Sequence, residues 1–232
     1  MTTNKIDSIR IAQAHVDSVL KGLSPLLKKG ISEKEVVQYI EQKMCSTKGD
    51  AVAFSSIVAF GENAAEPHHE PSDRVLKLGD PILVDIGLKR NGYCSDCTRM
   101  FCWGTPSKEF QSKYEKVLRI HEEVLAQFTA GKKVIELDQF VRDALGADAK
   151  YFIHGLGHGV GKEVHESPRI TSIFKKTPAP KVPETLKEGM VVTCEPGLYY
   201  PGKFGIRIED ILVVTKGKPE ILSQTSRELK IL

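Results

Sequence analysis

Near the start of the chain, Ile9, Ala12, Val16, Val19, Leu20 and Leu23 fall on one helical stripe. Their spacing predicts an amphipathic first helix that ends near Ser24-Pro25. A second helix is expected after Gly30, where Ser32 and Glu35 form an S-x-x-E capping box and Val36, Val37, Ile40 and Met44 supply the apolar face. The period then changes. Runs rich in Val, Ile, Phe and Cys at residues 53–60, 81–88 and 93–103 read as extended segments, and Asn91-Gly92 between the last two is a two-residue hairpin signal.

The order then repeats. Thr105-Pro106 offers an N-cap and a first-turn proline to a helix running through Phe110, Tyr114, Val117, Leu118, Val124, Leu125 and Phe128. Another helix is expected over residues 135–145, stopped by Gly146, and strand-like runs return at 151–153, 190–194 and 206–215. Two α-α-β units at about half-chain spacing, each too small to bury its own sheet face, should pack together. The expected fold is α/β (α+β): one curved, mainly antiparallel sheet backed by helices. The stretch 167–188, with four prolines and several lysines, reads as a solvated loop at the sheet's edge.

Composition leaves this picture intact and narrows the function. With 232 residues and no low-complexity linker, residues 1–232 are read as a single domain. A hydrophobic content of 41% beside 27% charged residues supports a core without disulfide or metal staples. A net charge of +3 without any run of five or six Lys/Arg speaks against a nucleic-acid partner. The first twenty residues mix charges through their apolar positions and predict no export signal, and no later stretch is long enough to span a bilayer, so no membrane partner is expected. Five cysteines, an odd number, fit reduced thiols and a cytoplasmic location. Cys94 and Cys97 form a C-x-x-C, but no second ligand pair stands at zinc spacing, so they read as structural thiols.

Three clusters carry the candidate chemistry. In ILVDIGLKRNGYCSDCTRM, Asp85 ends an apolar strand and Asp96 lies on the returning strand. In VVTCEPGLYYPGKFGIRIEDILVV, Glu195 and Glu209 take the same parts. Arg207 and Glu209, two residues apart, share a face, whereas Asp210 points the other way and is left out. In HGLGHGVGKEVHESP, His154, His158 and His165 stand among glycines whose spacing satisfies neither a dinucleotide nor a Walker fingerprint. One strand-end acid is ordinarily a loop cap or an arginine partner. Four at matched places are different: each like-charged pair at ~4 Å costs about 4 kcal/mol at an effective dielectric of 20. Two divalent cations would compensate them. Oxygen-rich ligation with a single imidazole suits Mn²⁺, with Co²⁺, Fe²⁺ or Zn²⁺ as alternatives. A metal pair can share a water, lower its pKa and deliver hydroxide to an amide carbonyl, so peptide hydrolysis is the expected reaction.

The segments PHHEPSDRVLKLGDPILVDIG, GYCSDCTRMF, HGLGHGVGKEVHESP and GMVVTCEPGLYYPGKFGIRIEDILVVT resemble the pita-bread metallopeptidases, in particular their Xaa-Pro aminopeptidase and prolidase branch. The resemblance implies a metal-dependent exopeptidase that hydrolyses the N-terminal bond of Xaa-Pro peptides. It implies that Asp85 binds one metal, that Asp96 and Glu209 bridge both, and that His158 and Glu195 hold the second. It places His68 near the scissile bond and His165 on the substrate carbonyl or tetrahedral intermediate, and it makes Glu195 a proton shuttle. His154 and Arg207 are implied to line the proline side of the cleft, and His69 has no matched role. It also implies a homodimer. Relatives of this branch usually carry an N-terminal accessory domain that helps shape the cleft, whereas this chain is expected to start almost at the catalytic unit. Competing readings on the same fold are a methionine aminopeptidase, a metal-free creatinase-like hydrolase and a non-catalytic binding protein. The H-x-x-x-H at His154 and His158 and the G-I-R-I-E-D string at Gly205 to Asp210 favour proline-directed activity.

Overall fold

In the computed structural model, residues 4–48, 50–173 and 184–232 are described. The first half holds α1 (Lys5–Lys21), α2 (Glu33–Met44), β1 (Ala51–Val52), β2 (Ile57–Phe60), β3 (Pro81–Ile86), β4 (Leu88–Arg90), β5 (Tyr93–Cys94) and β6 (Cys97–Cys102). The second holds α3 (Lys108–Leu125), α4 (Val134–Leu145), β7 (Gly157–Gly159), β8 (Glu166–Ile170), β9 (Val191–Cys194), β10 (Gly197–Tyr200), β11 (Phe204–Arg207), β12 (Asp210–Val213), β13 (Glu220–Ile221) and β14 (Lys230–Ile231). The helix, helix, strands order therefore occurs twice, as the periodicity predicts. No described helix is long and apolar enough to cross a membrane.

Local chemistry sets most boundaries. The Asn4 side chain accepts from the Asp7 amide at 2.9 Å and opens α1, which closes at Gly22. The Ser32–Glu35 capping box at α2 is reciprocal: the Glu35 amide donates to Ser32 Oγ, and the Ser32 amide donates to the Glu35 carboxylate at 2.8 Å. Helix α3 starts two residues later than Thr105-Pro106 suggests, because Ser107 Oγ is the group that accepts from the Phe110 amide. It also ends at Leu125, short of Phe128. Asn91 and Gly92 take φ of 52° and 79°, the left-handed pair a two-residue hairpin needs, and Arg90 faces Tyr93 across them.

Two larger sheets carry the molecule, ordered β14-β6-β3-β2 and β13-β12-β9-β7-β8, and every pairing but β14 with β6 is antiparallel. Alternation along β3 decides what each face meets. Ile82, Val84 and Ile86 pack with Val16, Leu20, Val36 and Ile40 of α1 and α2, while Leu83 joins the core of α3 and α4 with Phe110, Val117 and Val141. Burying each such aliphatic side chain is worth roughly 1.5–3 kcal/mol. Asp85 shares the parity of Leu83, so it emerges on the face turned toward the second unit.

Several expected segments are broken or replaced. The runs 81–88 and 93–103 are each interrupted, at Gly87 and at Ser95-Asp96. The pairings Ile86 with Cys97 and Lys89 with Cys94 keep one register on both sides of the break, so Gly87 lies across from Asp96. A Cβ on Gly87 would stand 2.3 Å from the Ser95 carbonyl oxygen, so only glycine fits there. Residues 151–153 are not a strand: a 3-10 turn spans Gly146–Tyr151, and Arg142 donates to the carbonyls of Phe152 and His154 at 2.8 and 2.6 Å in place of a ladder. The run 206–215 divides into β11 and β12 because the two ends pair with different strands, β10 and β9. Within the stretch expected as a loop, Ser167 to Ile170 belong to β8 and pair with β7; residues 174–183, with Pro178, Pro180 and Pro183, lie outside the described residues.

Candidate active site

All four strand-end carboxylates line one cavity of about 700 Å³, together with His68, His154, His158, His165 and Arg207. The two acid-bearing hairpins deliver their side chains differently. In the first, Asp85 faces Thr98 across the β3–β6 ladder, so Asp96, two residues before Thr98, reaches the same face diagonally. In the second, the β9–β12 ladder ends at Cys194 with Asp210, and Glu195 and Glu209 leave it side by side. The pseudo-repeat thus conserves the kind of residue and not its register. Asp210 does point away, as parity predicts: it is buried in ion pairs with Arg99 and Arg227 and lies 3.4 Å from His121.

His158 occupies the centre of β7, whose neighbours press close on both sides. A Cβ on Gly157 would lie 2.2 Å from the Thr193 carbonyl oxygen, and one on Gly159 would lie 2.2 Å from that of Ser167. The glycines around His158 serve this close packing and not a phosphate loop. The His158 amide donates to Thr193 Oγ1 at 3.1 Å. Its Nδ1 sits 3.1 Å from the Gly159 carbonyl and donates to it, an assignment that leaves the Nε2 lone pair free. Nε2 stands 3.6 Å from Asp96 and 3.4 Å from Glu195. Asp96, His158 and Glu209 each offer a ligand atom within 4.8 Å of the others, a buried trio able to hold a metal ion. His165 stacks edge-on against His158 with ring centroids 4.3 Å apart.

Electrostatics marks the same place. Burial, reinforced by neighbouring carboxylates, pushes Asp96 and Glu209 well above the usual carboxylate range, and burial raises Glu195 to about 8. Among the described residues, the basic groups within ion-pair distance of Asp96 and Glu195 are histidines only. Burial pushes His158 down to about 4 and His154 to about 3, so both are neutral at pH 7 and bring no charge. Arg207 is spoken for: it donates to Asp85 at 2.6 Å, to Thr98 Oγ1 at 3.0 Å, and to the Tyr199 hydroxyl at 2.8 Å. Even so, Asp85 Oδ1 is buried without a hydrogen-bond partner among the described residues. An orphaned carboxylate oxygen beside three uncompensated acids and one neutral imidazole fits a set of divalent-cation ligands.

Two residues of the site escape sequence reasoning. Thr98 Oγ1 accepts from Arg207 and donates to Glu209 at 2.7 Å, which ties a bridging candidate to the guanidinium. The Tyr199 hydroxyl lies 2.8 Å from His154 Nε2 and donates to it while accepting from Arg207, because His154 Nδ1 is 2.7 Å from the Gly155 carbonyl and gives its proton there. Strand parity could have pointed to both. Thr98 is two residues from Asp96, and Tyr199 is diagonal to Arg207 in the β10–β11 ladder, where Gly197 pairs with Arg207. Cys94 and Cys97 do not converge on a shared ion: Cys94 Sγ donates to the Lys162 carbonyl and Cys97 Sγ to that of Glu209.

The chain matches the Peptidase_M24 family, metallopeptidase family M24, over residues 7–216. An uncharacterized peptidase of Staphylococcus epidermidis is 37% identical over 223 residues, covering 95% of this chain and 61% of that protein. A prolidase from Thermococcus sibiricus superposes with a TM-score of 0.91 at 38% identity, covering 98% of this chain and 61% of that one. An X-Pro aminopeptidase from Thermotoga maritima gives 0.91 at 34% identity, with 100% and 65% coverage. A Xaa-Pro dipeptidase from Bacillus anthracis gives 0.92 at 33%, with 100% and 64%. The chain therefore spans less than two thirds of the length of these relatives, and over that span it has their pita-bread fold. Because the family match runs through both α-α-β units and through every strand end that carries a candidate ligand, the chain belongs to metallopeptidase family M24.

Proposed function

We propose that this chain is a metal-dependent exopeptidase hydrolysing the N-terminal bond of Xaa-Pro peptides, with residues 1–232 forming one catalytic domain. The observation that carries the reading is the convergence of three buried acids, the partly buried Glu195 and a neutral imidazole on one cavity, with Arg207 as the guanidinium in contact with Asp85. Solved structures similar to it include a prolidase, a Xaa-Pro dipeptidase and an X-Pro aminopeptidase, which points to the same substrate class.

In this reading Asp85, Asp96, His158, Glu195 and Glu209 would hold two divalent cations, with Asp96 and Glu209 the ligands that would be shared; Mn²⁺ would suit the oxygen-rich set best. When bound, such a pair polarises an amide carbonyl and activates water. The residues then act in turn. Thr98 holds Glu209, and Arg207 holds Asp85, so neither carboxylate has to be ordered at the moment of reaction. Glu195, on the cavity wall beside His158, would carry a proton to the leaving nitrogen. His165 faces the developing negative charge on the carbonyl oxygen, and His68 lies over the scissile bond. His154 keeps 23% of its side chain open and offers a ring face to the proline side. Arg207 reaches that side through Tyr199.

Turnover of a Xaa-Pro dipeptide, a Xaa-Pro-Xaa tripeptide and a Met-Ala-Xaa peptide by Mn²⁺-reconstituted protein tests the proposal. Cleavage confined to the proline substrates is expected. Cleavage of Met-Ala-Xaa alone would turn the reading to methionine aminopeptidase, and no cleavage of any would remove the enzymatic reading.

A further inference from the structure

The loop that carries His68 is fastened on both sides of that residue. Upstream, the Pro67 carbonyl accepts from Arg207 Nη1 at 3.2 Å. The 3-10 turn Gly61–Ala65 also packs against β11 so closely that a Cβ on Gly205 would stand 1.7 Å from the Ala64 carbonyl oxygen. Downstream, the Glu33 and Lys34 amides donate to the Arg74 and Ser72 carbonyls at 3.1 and 3.2 Å, and one carboxylate adds the side-chain fastening. Glu33, in the first turn of α2 and fully buried, accepts from five donors. Its Oε1 takes the Phe60 amide at 2.8 Å and Asn63 Nδ2 at 2.9 Å. Its Oε2 takes His69 Nε2 at 2.9 Å, the Ser72 amide at 2.9 Å and Ser72 Oγ at 2.7 Å.

Consecutive side chains of this loop therefore differ in what holds them. Both reach the cavity wall, but His69 Nε2 is bound to Glu33, whereas His68 forms no side-chain hydrogen bond among the described residues. Among the described residues no hydrogen bond or ion pair orders the His68 ring, so its place follows from the backbone on which it rides. A buried carboxylate that satisfies two backbone amides and three side chains is a rigid anchor, since freeing any of them would leave a polar group unpaired.

We propose that Glu33, acting through His69, is a positioning device that fixes His68 over the metal-ligand cavity. Glu33 lies outside the cavity lining, and His69, at the cavity wall, is held by its Nε2 to Glu33. The inference rests on the proposed role of His68 at the scissile bond, and its energetic logic is preorganisation: a ring displaced by ~1 Å loses much of its effect on the transition state with little change in substrate affinity. His69→Leu is a mild lesion for the fold, because Ser72 still gives Oε2 two donors. His69→Gln restores a donor at about the same reach.

The test is a double-mutant cycle on the full chain with Mn²⁺ and a Xaa-Pro dipeptide, joined to amide hydrogen exchange over residues 66–72. With His68 present, His69→Leu should lower kcat at least ~10-fold while KM stays within about 2-fold, and His69→Gln should recover to within about 3-fold. In a His68→Ala background, His69→Leu should change kcat less than about 2-fold, because the ring it positions is gone. Exchange at Ser72 and its neighbours should accelerate in His69→Leu and return in His69→Gln. Equal losses in both backgrounds, or no loss in either, would overturn the proposal. If wild-type protein cleaves no Xaa-Pro peptide, the functional reading fails separately, and exchange alone decides: unchanged exchange in His69→Leu overturns the clamp.

Discussion

Asp96 and Glu209 are acids raised by burial and by neighbouring carboxylates, and among the described residues no basic side chain other than neutral His158 stands within ion-pair distance of Asp96. Divalent cations would reverse that penalty, so removing one bridging carboxylate should remove metal as well as activity. Asp96→Ala is expected to lose at least one bound metal per chain by elemental analysis together with turnover; full metal content in that variant contradicts the bridging assignment. His165 is the opposite case, since it stacks on His158 without being one of the proposed ligands. His165→Ala should keep both metals and lower kcat by roughly 10²-fold, read from steady-state kinetics beside metal content. A wild-type kcat would exclude it from the chemistry. At this scale the sequence was informative about charge and poor about partners. An aspartate inside an apolar strand announces a compensating cation, but nothing in the string tells that Arg207 bonds Asp85, Thr98 and Tyr199 at once. Those links join residues up to 122 positions apart.

Elements were legible where local chemistry decides them and illegible where a distant group does. The Asn91-Gly92 turn and the Ser32–Glu35 box follow from backbone preferences of the residues themselves. The segment 151–153 looks extended in sequence, yet the Arg142 side chain takes the Phe152 carbonyl and that of His154 just beyond it, and no strand forms. The division of 206–215 into β11 and β12 depends on two separate partner strands, which an apolar pattern does not encode. β7 shows how an element sets the site: its glycines let two backbones approach so that His158 stands at the centre. Gly157→Ala would drive a Cβ into the Thr193 carbonyl and should destabilise the protein by about 1–3 kcal/mol in urea unfolding. It should also weaken metal binding through displaced His158. A variant with native stability and metal content would show that β7 is not under this constraint.

The duplicated architecture joins its halves through a buried charge cluster behind the site, where Asp210 meets Arg99, Arg227 and His121. Burial holds His121 down at about 4 against the pull of Asp210, whereas the unfolded chain protonates histidine near 6.5. The unfolded state therefore binds the extra proton first. Stability is fully present above pH ~6.5 and is lost as pH falls toward 4, by up to an amount on the order of 3 kcal/mol from this residue. Urea unfolding at pH 7 and pH 5 should show that slope in the wild type and a shallower one in His121→Phe; equal slopes would assign the loss to other groups. The whole-molecule reading was legible because one short pattern of acid, turn and acid occurs once in each α-α-β unit. The difference in register between the two hairpins was not legible, since it is fixed by the packing of the strands on each other. The central claim is that the converging acids and His158 bind two divalent cations on which peptide cleavage depends. Metal stoichiometry measured beside Xaa-Pro turnover, before and after chelation, tests it most directly. The account predicts two ions per chain, loss of turnover on chelation and recovery with Mn²⁺, whereas undiminished turnover by metal-free protein would contradict it.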